Sequence, residues 1–205
     1  MLHFMNETAT QPAPPQPGDP RYGYAIVTSA VGDLIASVEP SQLGNATPCD
    51  EFTVKELVEH IVLVMRRVAA IGEGNHWSTI DEEAVDSGWH DQYRTAAHAV
   101  MEAWTDATKL DNVFEVPWGE IPGGPLFFAY TGELAVHGWD LAQATGQDFS
   151  IDDEVLDPPL AGARAAVPAQ VRDHPFVPFG APVVAPAGAS TLVRLAAWYG
   201  RDVAG

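Results

Sequence analysis

The sequence is poor in cysteine, with Cys49 as its single thiol among 205 residues. One cysteine excludes an intrachain disulfide, a Cys-x-x-Cys redox motif and a zinc site built from cysteines. We interpret Cys49 as a small buried hydrophobe rather than a nucleophile, because no histidine or cationic cluster adjoins it in the sequence. This cysteine usage fits a reducing cytoplasm.

Basic residues are scarce as well. Lysine and arginine together number 10 against 28 aspartates and glutamates, which gives a formal net charge of -18 at pH 7. A field of this sign repels nucleic-acid phosphates and anionic membrane surfaces. We therefore expect neither nucleic acid nor a membrane as a partner.

Long apolar runs are missing too. No window approaches the ~20 apolar residues that a membrane-spanning helix needs. The first residues include Leu2, Phe4 and Met5 but no basic flank, and polar residues and prolines soon follow, so we expect no signal peptide. The chain is 46% apolar, which is typical of a soluble domain with a hydrophobic core. These features predict a soluble, cytoplasmic protein.

The first 20 residues lack the apolar content of the rest of the chain. Residues 6–20 contain five prolines and almost no large apolar side chain, so this segment cannot bury enough surface to become ordered. We predict a disordered arm over residues 1–20 and a single helical domain over residues 21–205.

The rest of the chain shows helical periodicity. Apolar residues recur every three or four positions from Tyr22 until shortly before Pro40, which predicts a first helix. Thr53 and Glu56 form a capping-box motif that starts a second helix, closed by Gly72 and Gly74. The pattern predicts two further long helices, from about Ala84 to Leu110 and from about Pro125 to Gly146. The predicted fold class is all-α, built on a four-helix bundle.

Shorter elements complete the predicted fold. Residues 114–122 contain two prolines and a glycine, which predicts an extended connector. After the bundle we expect a helix from about Asp153 to Val171, a proline-rich loop near residues 175–186, and a last helix that starts at Ser190 and ends at Gly200.

A carboxylate and an imidazole stand four residues apart in the fourth helix. At 3.6 residues per turn, Glu133 and His137 lie one above the other on the same helix face. His60 lies beside the buried stripe of the second helix and is the best third ligand. We therefore predict that His60, Glu133 and His137 bind a metal ion, and such a set of two histidines and one glutamate usually leaves a coordination position open.

The sequence gives weaker support for a functional role at other residues and motifs. Asp140 follows His137 by one helical turn and either orients a ligating imidazole or pairs with Arg201, of which we favour the pairing. The remaining histidines stand alone in the sequence and are expected to be solvated; they are His3, His76, His90, His98 and His174. The sequence contains no phosphate-binding loop and no Gly-x-Ser-x-Gly motif, which argues against phosphate and acyl chemistry.

The same residues carry a family resemblance. The segment from Thr47 to His60, the segment from Glu133 to Gln147 and the terminal segment from Phe179 to Asp202 occur in an order that resembles the metal-binding domain of mycothiol-dependent maleylpyruvate isomerases. The terminal segment is similar to a shorter actinobacterial branch of that superfamily. The likeness extends from about residue 25 to the end of the chain.

The resemblance implies a DinB-like four-helix bundle that holds a divalent metal, most often zinc but also nickel, cobalt or manganese, through His60, Glu133 and His137. Mycothiol or a similar small thiol would be the co-substrate. The isomerase has a separate C-terminal α/β domain that helps to build its pocket, and this chain leaves no room for one. The implied activity is therefore thiol transfer to an electrophile, or isomerisation, without a named substrate.

Three functions remain open from the sequence. They are a metal-dependent thiol transferase or isomerase, a non-catalytic bundle that binds a metal and a ligand, and a metal-dependent hydrolase that uses bound hydroxide. The expected partners are a small-molecule thiol and an electrophilic substrate, and the chain is expected to be a monomer or homodimer. No further catalytic or cofactor-binding residue is assigned by the sequence.

Overall fold

The computed structural model describes residues 14–81, 88–172 and 179–204. Within these ranges the chain forms six α-helices and one two-stranded antiparallel sheet. In chain order these are α1 (Pro20–Ala36), α2 (Val54–Gly72), α3 (Trp89–Ala103), β1 (Val113–Val116), β2 (Gly119–Pro122), α4 (Gly123–Thr145), α5 (Asp153–Ala166) and α6 (Thr191–Trp198). Short 3-10 turns occur at Pro40–Gln42, Trp77–Thr79, Ala107–Asp111 and Ala169–Val171.

Local sequence signals set the ends of several helices. Asp19 caps α1 by accepting a hydrogen bond from the backbone N–H of Arg21, and Pro20 occupies the first helical position, where its missing N–H costs nothing. The predicted capping box of Thr53 and Glu56 is present at the start of α2. Gly146 ends α4 in the left-handed conformation, with φ of 71°.

The contacts between helices define the direction of each helix in the bundle. Helix α1 runs antiparallel to α3, since Arg21 near the start of α1 reaches the carbonyl of Trp104 at the end of α3, while Tyr93 near the start of α3 donates to the carbonyl of Thr28. Helix α1 runs parallel to α4, because Gly23 lies near Thr131 and Val31 lies near Gly138.

Helices α2 and α4 run in opposite directions. His60, early in α2, contacts Glu133 and His137, whereas Arg67, one to two turns later, lies near Tyr130, which precedes Glu133 in α4. The bundle is therefore up-down-down-up in chain order. This topology places the beginning of α2 beside the middle of α4.

Helix α4 is the centre of the molecule. It packs against α1 and α2 in the bundle and against α5 and α6 on its other side, and most of its 23 residues are buried. A Cβ atom at Gly138 would lie 2.7 Å from the Phe149 ring and 2.8 Å from Val31, so α1 and the segment after α4 come as close as a glycine allows. Side chains on α4 are thus held between several packed elements.

The predicted all-α class and the DinB-like four-helix bundle, with additional C-terminal helices, are confirmed. Of the predicted proline-rich loop, residues 179–186 are non-helical, and residues 175–178 lie outside the described ranges. The predicted connector over residues 114–122 is extended, and it forms a hairpin in which Val113 pairs with Pro122. The proposed arm over residues 1–20 stays a prediction, because residues 1–13 lie outside the described ranges.

The predicted bounds of the third helix were wrong. Ala84 lies outside the described residues, and α3 begins only at Trp89, after Gly88 in the left-handed conformation with φ of 68°. It ends before Trp104, and Asp106 then caps a separate 3-10 turn that contains Leu110. Helix α5 likewise stops at Ala166 rather than at Val171. Val167, the residue before Pro168, leaves the helical conformation with φ of -129° and ψ of 69°, as residues before proline tend to do.

In the described part of the chain, no helix combines the length and the apolar content required to cross a bilayer.

Candidate metal centre

Helices α2 and α4 bring the three predicted ligands together. One donor atom each from His60, Glu133 and His137 lies within 4.8 Å of the other two. His60 Nε2 is 3.4 Å from Glu133 Oε1, and the two imidazole rings are 5.0 Å apart at an interplanar angle of 80°. The antiparallel packing of α2 on α4 therefore joins residues more than 70 positions apart in the sequence.

The spacing of these donors fits a small divalent ion. Zinc binds imidazole nitrogen and carboxylate oxygen at about 2.1 Å, so two donors at tetrahedral angles are about 3.4 Å apart. The separation of His60 Nε2 and Glu133 Oε1 equals this value. Two neutral imidazoles and one carboxylate are also the donor types found in three-ligand zinc sites. One donor pair thus already has the separation expected around a bound zinc ion, and the donor atom of His137 lies within 4.8 Å of both.

One side of the centre is open to solvent. The side chains of His60 and Glu133 are 27% and 25% exposed, whereas that of His137 is 10% exposed. A cavity of about 10 Å³ borders the three residues and is lined on its apolar side by Ile61, Val64, Met65 and Leu134. This volume is close to the minimum for one water molecule. The space between the helices therefore holds about one water-sized particle, and any further ligand must approach from the solvent side.

Phe52 covers one side of the imidazoles. Its ring stacks on His60 with centroids 4.9 Å apart and meets the edge of His137 at 6.5 Å. The loop before α2 holds Phe52 in place, because the Thr47 hydroxyl lies 2.8 Å from the carbonyl of Phe52 and 2.9 Å from that of Cys49 and can donate its hydrogen to either. The sequence analysis missed this role. Phe52 directly precedes the helix cap Thr53, a position at which an apolar residue usually packs on the first turns of the helix.

His137 has a carboxylate partner on its second ring nitrogen. Asp140 Oδ2 lies 3.2 Å from His137 Nδ1, and both oxygens of Asp140 accept hydrogen bonds from Arg201 at 2.9 Å. The predicted pairing of Asp140 with Arg201 is therefore present, and Asp140 also contacts the imidazole. Burial acts to lower the pKa of the Arg201 guanidinium, but the hydrogen bonds and charge of Asp140 outweigh it and raise this pKa above its usual value.

Three tyrosines surround Glu133. The pKa values of Tyr24, Tyr130 and Tyr199 are raised well above the usual value, first by burial of the phenols and second by the charge of the Glu133 carboxylate. These tyrosines come from α1, from α4 and from the segment after α6. Their hydroxyls stay protonated at neutral pH, and the Glu133 carboxylate is close enough to influence all three. Sequence reasoning missed Tyr24 and Tyr199, because no spacing relates them to Glu133.

Cys49 belongs to a second set of potential ligands. Its sulfur, His137 and Asp140 also offer donor atoms within 4.8 Å of one another. Burial raises the pKa of the Cys49 thiol above its usual value; the charge of Arg201 opposes this rise, and the charge of Asp140 adds to it. A cation at this position would face the guanidinium that already holds both oxygens of Asp140. The set with His60 and Glu133 is therefore the better cation site.

Three of the other five histidines lie in the described part of the chain. His76 is near Glu115, and His98 is near Glu102 on the exposed side of α3. His90 is in the first turn of α3, and His3 and His174 lie outside the described ranges. Among the described residues, no group of three potential metal ligands includes any of these histidines.

Comparisons with known proteins identify relatives of the chain. Residues 24–142 match the family model described as the mycothiol maleylpyruvate isomerase N-terminal domain. Two Mycobacterium tuberculosis proteins, Uncharacterized protein Rv0738 of strain ATCC 25618 / H37Rv and Uncharacterized protein MT0763 of strain CDC 1551 / Oshkosh, are each 34% identical to this chain over 187 residues. The alignments cover 90% of this chain and 99% of each relative. No solved structure matches the chain.

Proposed function

We propose that this chain, which belongs to the mycothiol maleylpyruvate isomerase N-terminal domain family, binds one divalent cation and transfers a small thiol to an electrophile, or isomerises that electrophile by thiol addition. The observation that carries the proposal is the convergence of His60, Glu133 and His137 within 4.8 Å. Zinc is the expected ion, with nickel, cobalt and manganese as alternatives. Mycothiol is the expected thiol, because the matched family is named for it.

The donor set supports an open cation site. Three protein ligands leave one position free on a tetrahedral ion, whereas structural zinc sites are normally closed by four. The exposure of His60 and Glu133 opens this position to solvent. A bound dication lowers the pKa of a thiol at the free position and supplies a thiolate nucleophile near neutral pH.

The charge of the protein residues favours a thiolate only in the presence of the ion. Neutral His60 and His137 together with the Glu133 carboxylate give the three ligands a charge of -1. A dication changes this sum to +1, and one thiolate then brings it to zero. Without the ion, Glu133 would repel a thiolate in a partly buried site. Thiol binding should therefore require the metal.

Protein side chains also shape the approach to the centre. Phe52 covers the rings of His60 and His137 on one side and limits water there. Beyond Glu133, Tyr130 contacts Trp118 at the tip of the hairpin, with ring centroids 5.5 Å apart. Trp118 is 55% exposed and provides an apolar border on the solvent side. This arrangement suits a small electrophile that has an apolar portion.

Cobalt substitution tests the proposal. Metal-free protein is loaded with one equivalent of Co²⁺ and titrated with mycothiol and with simpler thiols, and the absorption spectrum is recorded. We expect a sulfur-to-metal charge-transfer band that saturates with thiol and that is absent in His60→Ala. His76→Ala is the matched control, because this histidine also contacts a carboxylate but has no third ligand among the described residues.

The outcomes separate the proposed activity from its alternatives. A charge-transfer band with thiol-dependent consumption of model electrophiles supports thiol transfer. A cobalt spectrum that millimolar thiols leave unchanged would refute it. Turnover of ester or amide substrates without thiol would then indicate a hydrolase, and ligand binding without turnover would indicate a non-catalytic bundle.

A further inference from the structure

We propose that Arg201 is a positioning residue of the metal centre: it fixes Asp140, which in turn orients the imidazole of His137 toward the cation. This inference rests on the proposed function. Arg201 lies outside residues 24–142, the part of the chain that matches the family model. The segment after α6 would therefore form part of the centre, although it contributes no ligand.

The contact between Arg201 and Asp140 is bidentate. Arg201 Nε donates to Asp140 Oδ1 and Arg201 Nη2 donates to Asp140 Oδ2, both at 2.9 Å. The Asp140 side chain is completely buried, and that of Arg201 is 13% exposed. Two parallel hydrogen bonds from a planar guanidinium fix the plane of the carboxylate as well as its position.

The carboxylate then determines which nitrogen of His137 is available. Asp140 Oδ2 is 3.2 Å from His137 Nδ1. Because both carboxylate oxygens accept hydrogen bonds from Arg201, the carboxylate is ionised and can only accept from the imidazole. His137 Nδ1 must therefore carry the hydrogen, which leaves the lone pair on Nε2 for the cation. A hydrogen bond of this kind fixes the tautomer and the ring orientation of metal-ligating histidines.

The backbone after α6 holds Arg201 in position. Gly200 adopts φ of 86°, and the N–H of Arg201 donates to the carbonyl of Ala196 at 3.0 Å. A Cβ atom at Gly200 would lie 2.9 Å from the Cα of Gly180, so this turn packs directly on another segment. The guanidinium is thus presented to Asp140 by a turn with little freedom, rather than by a free tail.

Metal affinity of three variants tests the inference. Arg201→Ala removes the guanidinium, Arg201→Lys keeps a charge but loses the planar fork, and Arg172→Ala serves as the control. Arg172 is also buried, and in the described part of the chain it donates to the backbone carbonyls of Val167, Gly180 and Trp198. The zinc dissociation constant is measured by competition with a chromophoric chelator, at a temperature at which circular dichroism shows each variant folded.

We expect Arg201→Ala to bind zinc about 10-fold more weakly than the unmodified chain, because the loss of partners behind a ligand costs 10- to 100-fold. Arg201→Lys should be intermediate, and the cobalt absorption spectrum of both variants should change. Arg172→Ala should lower thermal stability but leave zinc affinity within about twofold, since it does not contact the ligand shell. Unchanged zinc affinity in folded Arg201→Ala would overturn the inference.

Two further outcomes have defined consequences. If Arg201→Ala does not fold, Arg201→Lys decides: weaker zinc binding supports the inference, and unchanged binding overturns it. If the unmodified chain binds no metal, the proposed function fails, and nitrogen NMR of His137 in metal-free protein tests the positioning role separately. The role is supported if His137 carries its hydrogen on Nδ1 in the unmodified chain and shifts toward the Nε2 tautomer in Arg201→Lys. An identical tautomer in both proteins overturns it.

Discussion

Two pairs of histidine and glutamate in this chain have the same separation but different surroundings. His60 Nε2 lies 3.4 Å from Glu133 Oε1 between α2 and α4, and His76 Nε2 lies 3.4 Å from Glu115 Oε1 at the hairpin. In the first pair the side chains are about one quarter exposed, at 27% and 25%. In the second pair they are 42% and 67% exposed. Distance alone therefore does not distinguish a site from a surface contact.

The difference lies in what surrounds each pair. The first pair has a third donor in His137, which is itself held by Asp140. For the second pair, the described residues provide no third donor. A single imidazole and a single carboxylate at the surface compete poorly with water for a cation. The comparison teaches that the bundle interior fixes three potential donors on two packed helices, and this is why we propose a cation site at the first pair and not at the surface pair.

The largest expected effect is on metal content. His137→Ala removes one of three ligands, and we expect the purified protein to fall from about one divalent ion per chain to less than about 0.1. His76→Ala should retain the full amount, because the described residues offer no third donor beside His76 and Glu115. Plasma emission analysis of both variants measures this directly. Equal metal contents in the two variants would show that the two pairs do not differ in the proposed way.

Loss of the Asp140 carboxylate should lower folding stability far more than loss of the Glu115 carboxylate. Asp140→Ala leaves Arg201 buried without its partner, and we expect a loss of about 3 kcal/mol in the free energy of unfolding. Glu115→Ala removes an exposed contact and should change this free energy by less than about 0.5 kcal/mol. Urea denaturation measures both.

The metal content of Asp140→Ala should be measured together with its stability. Because Asp140 contacts both Arg201 and His137, Asp140→Ala should also weaken metal binding. Full stability with lost metal would mean that Asp140 acts on the ligand alone. Lost stability with unchanged metal affinity would mean that its contact with His137 has no role in binding.

A smaller difference is expected between the aromatic residues beside the two histidines, measured as their effect on zinc affinity. Phe52 stacks on His60, and Trp77 lies 5.3 Å from His76 at the other pair. Phe52→Ala admits water beside the ligand, and we expect zinc affinity to fall by about threefold to tenfold. Trp77→Ala should leave this affinity unchanged. Chelator competition checks the pair, and an equal effect of both substitutions would exclude a specific role for Phe52.

Substitution of Cys49 should have the smallest effect on zinc affinity. Since burial raises the pKa of this thiol, it remains protonated and unreactive near neutral pH. Cys49→Ala should therefore retain zinc affinity within about twofold, because the thiol is not a ligand in the proposed set. Alkylation by iodoacetamide at pH 8 should also be much slower in the folded than in the unfolded chain. A loss of the metal in Cys49→Ala would favour the alternative ligand set with His137 and Asp140.

Part of this site could be predicted from the sequence because its chemistry follows helical periodicity. The four-residue spacing of Glu133 and His137 places both on one face of a helix, and the capping box at Thr53 sets the register of the helix that carries His60. The pairing of Asp140 with Arg201 followed from the cost of a carboxylate on a packed helix.

The remainder depends on contacts that no local pattern encodes. Phe52, Tyr24 and Tyr199 approach the centre through a loop, through α1 and through the segment after α6, and their positions follow from packing. The limits of α3 were missed for a local reason. Apolar residues continue past both ends of α3, whereas the backbone changes direction at Gly88 before the helix and begins a separate 3-10 turn capped by Asp106 after it.

Anomalous diffraction at the zinc absorption edge, from crystals of the zinc-loaded chain, tests the central claim most directly. The ion should appear bonded to His60 Nε2, a carboxylate oxygen of Glu133 and His137 Nε2, with a fourth position taken by solvent or by an added thiol. No comparable peak should appear between His76 and Glu115. A dominant peak at that surface pair or beside Cys49, or no peak between α2 and α4, would contradict the account.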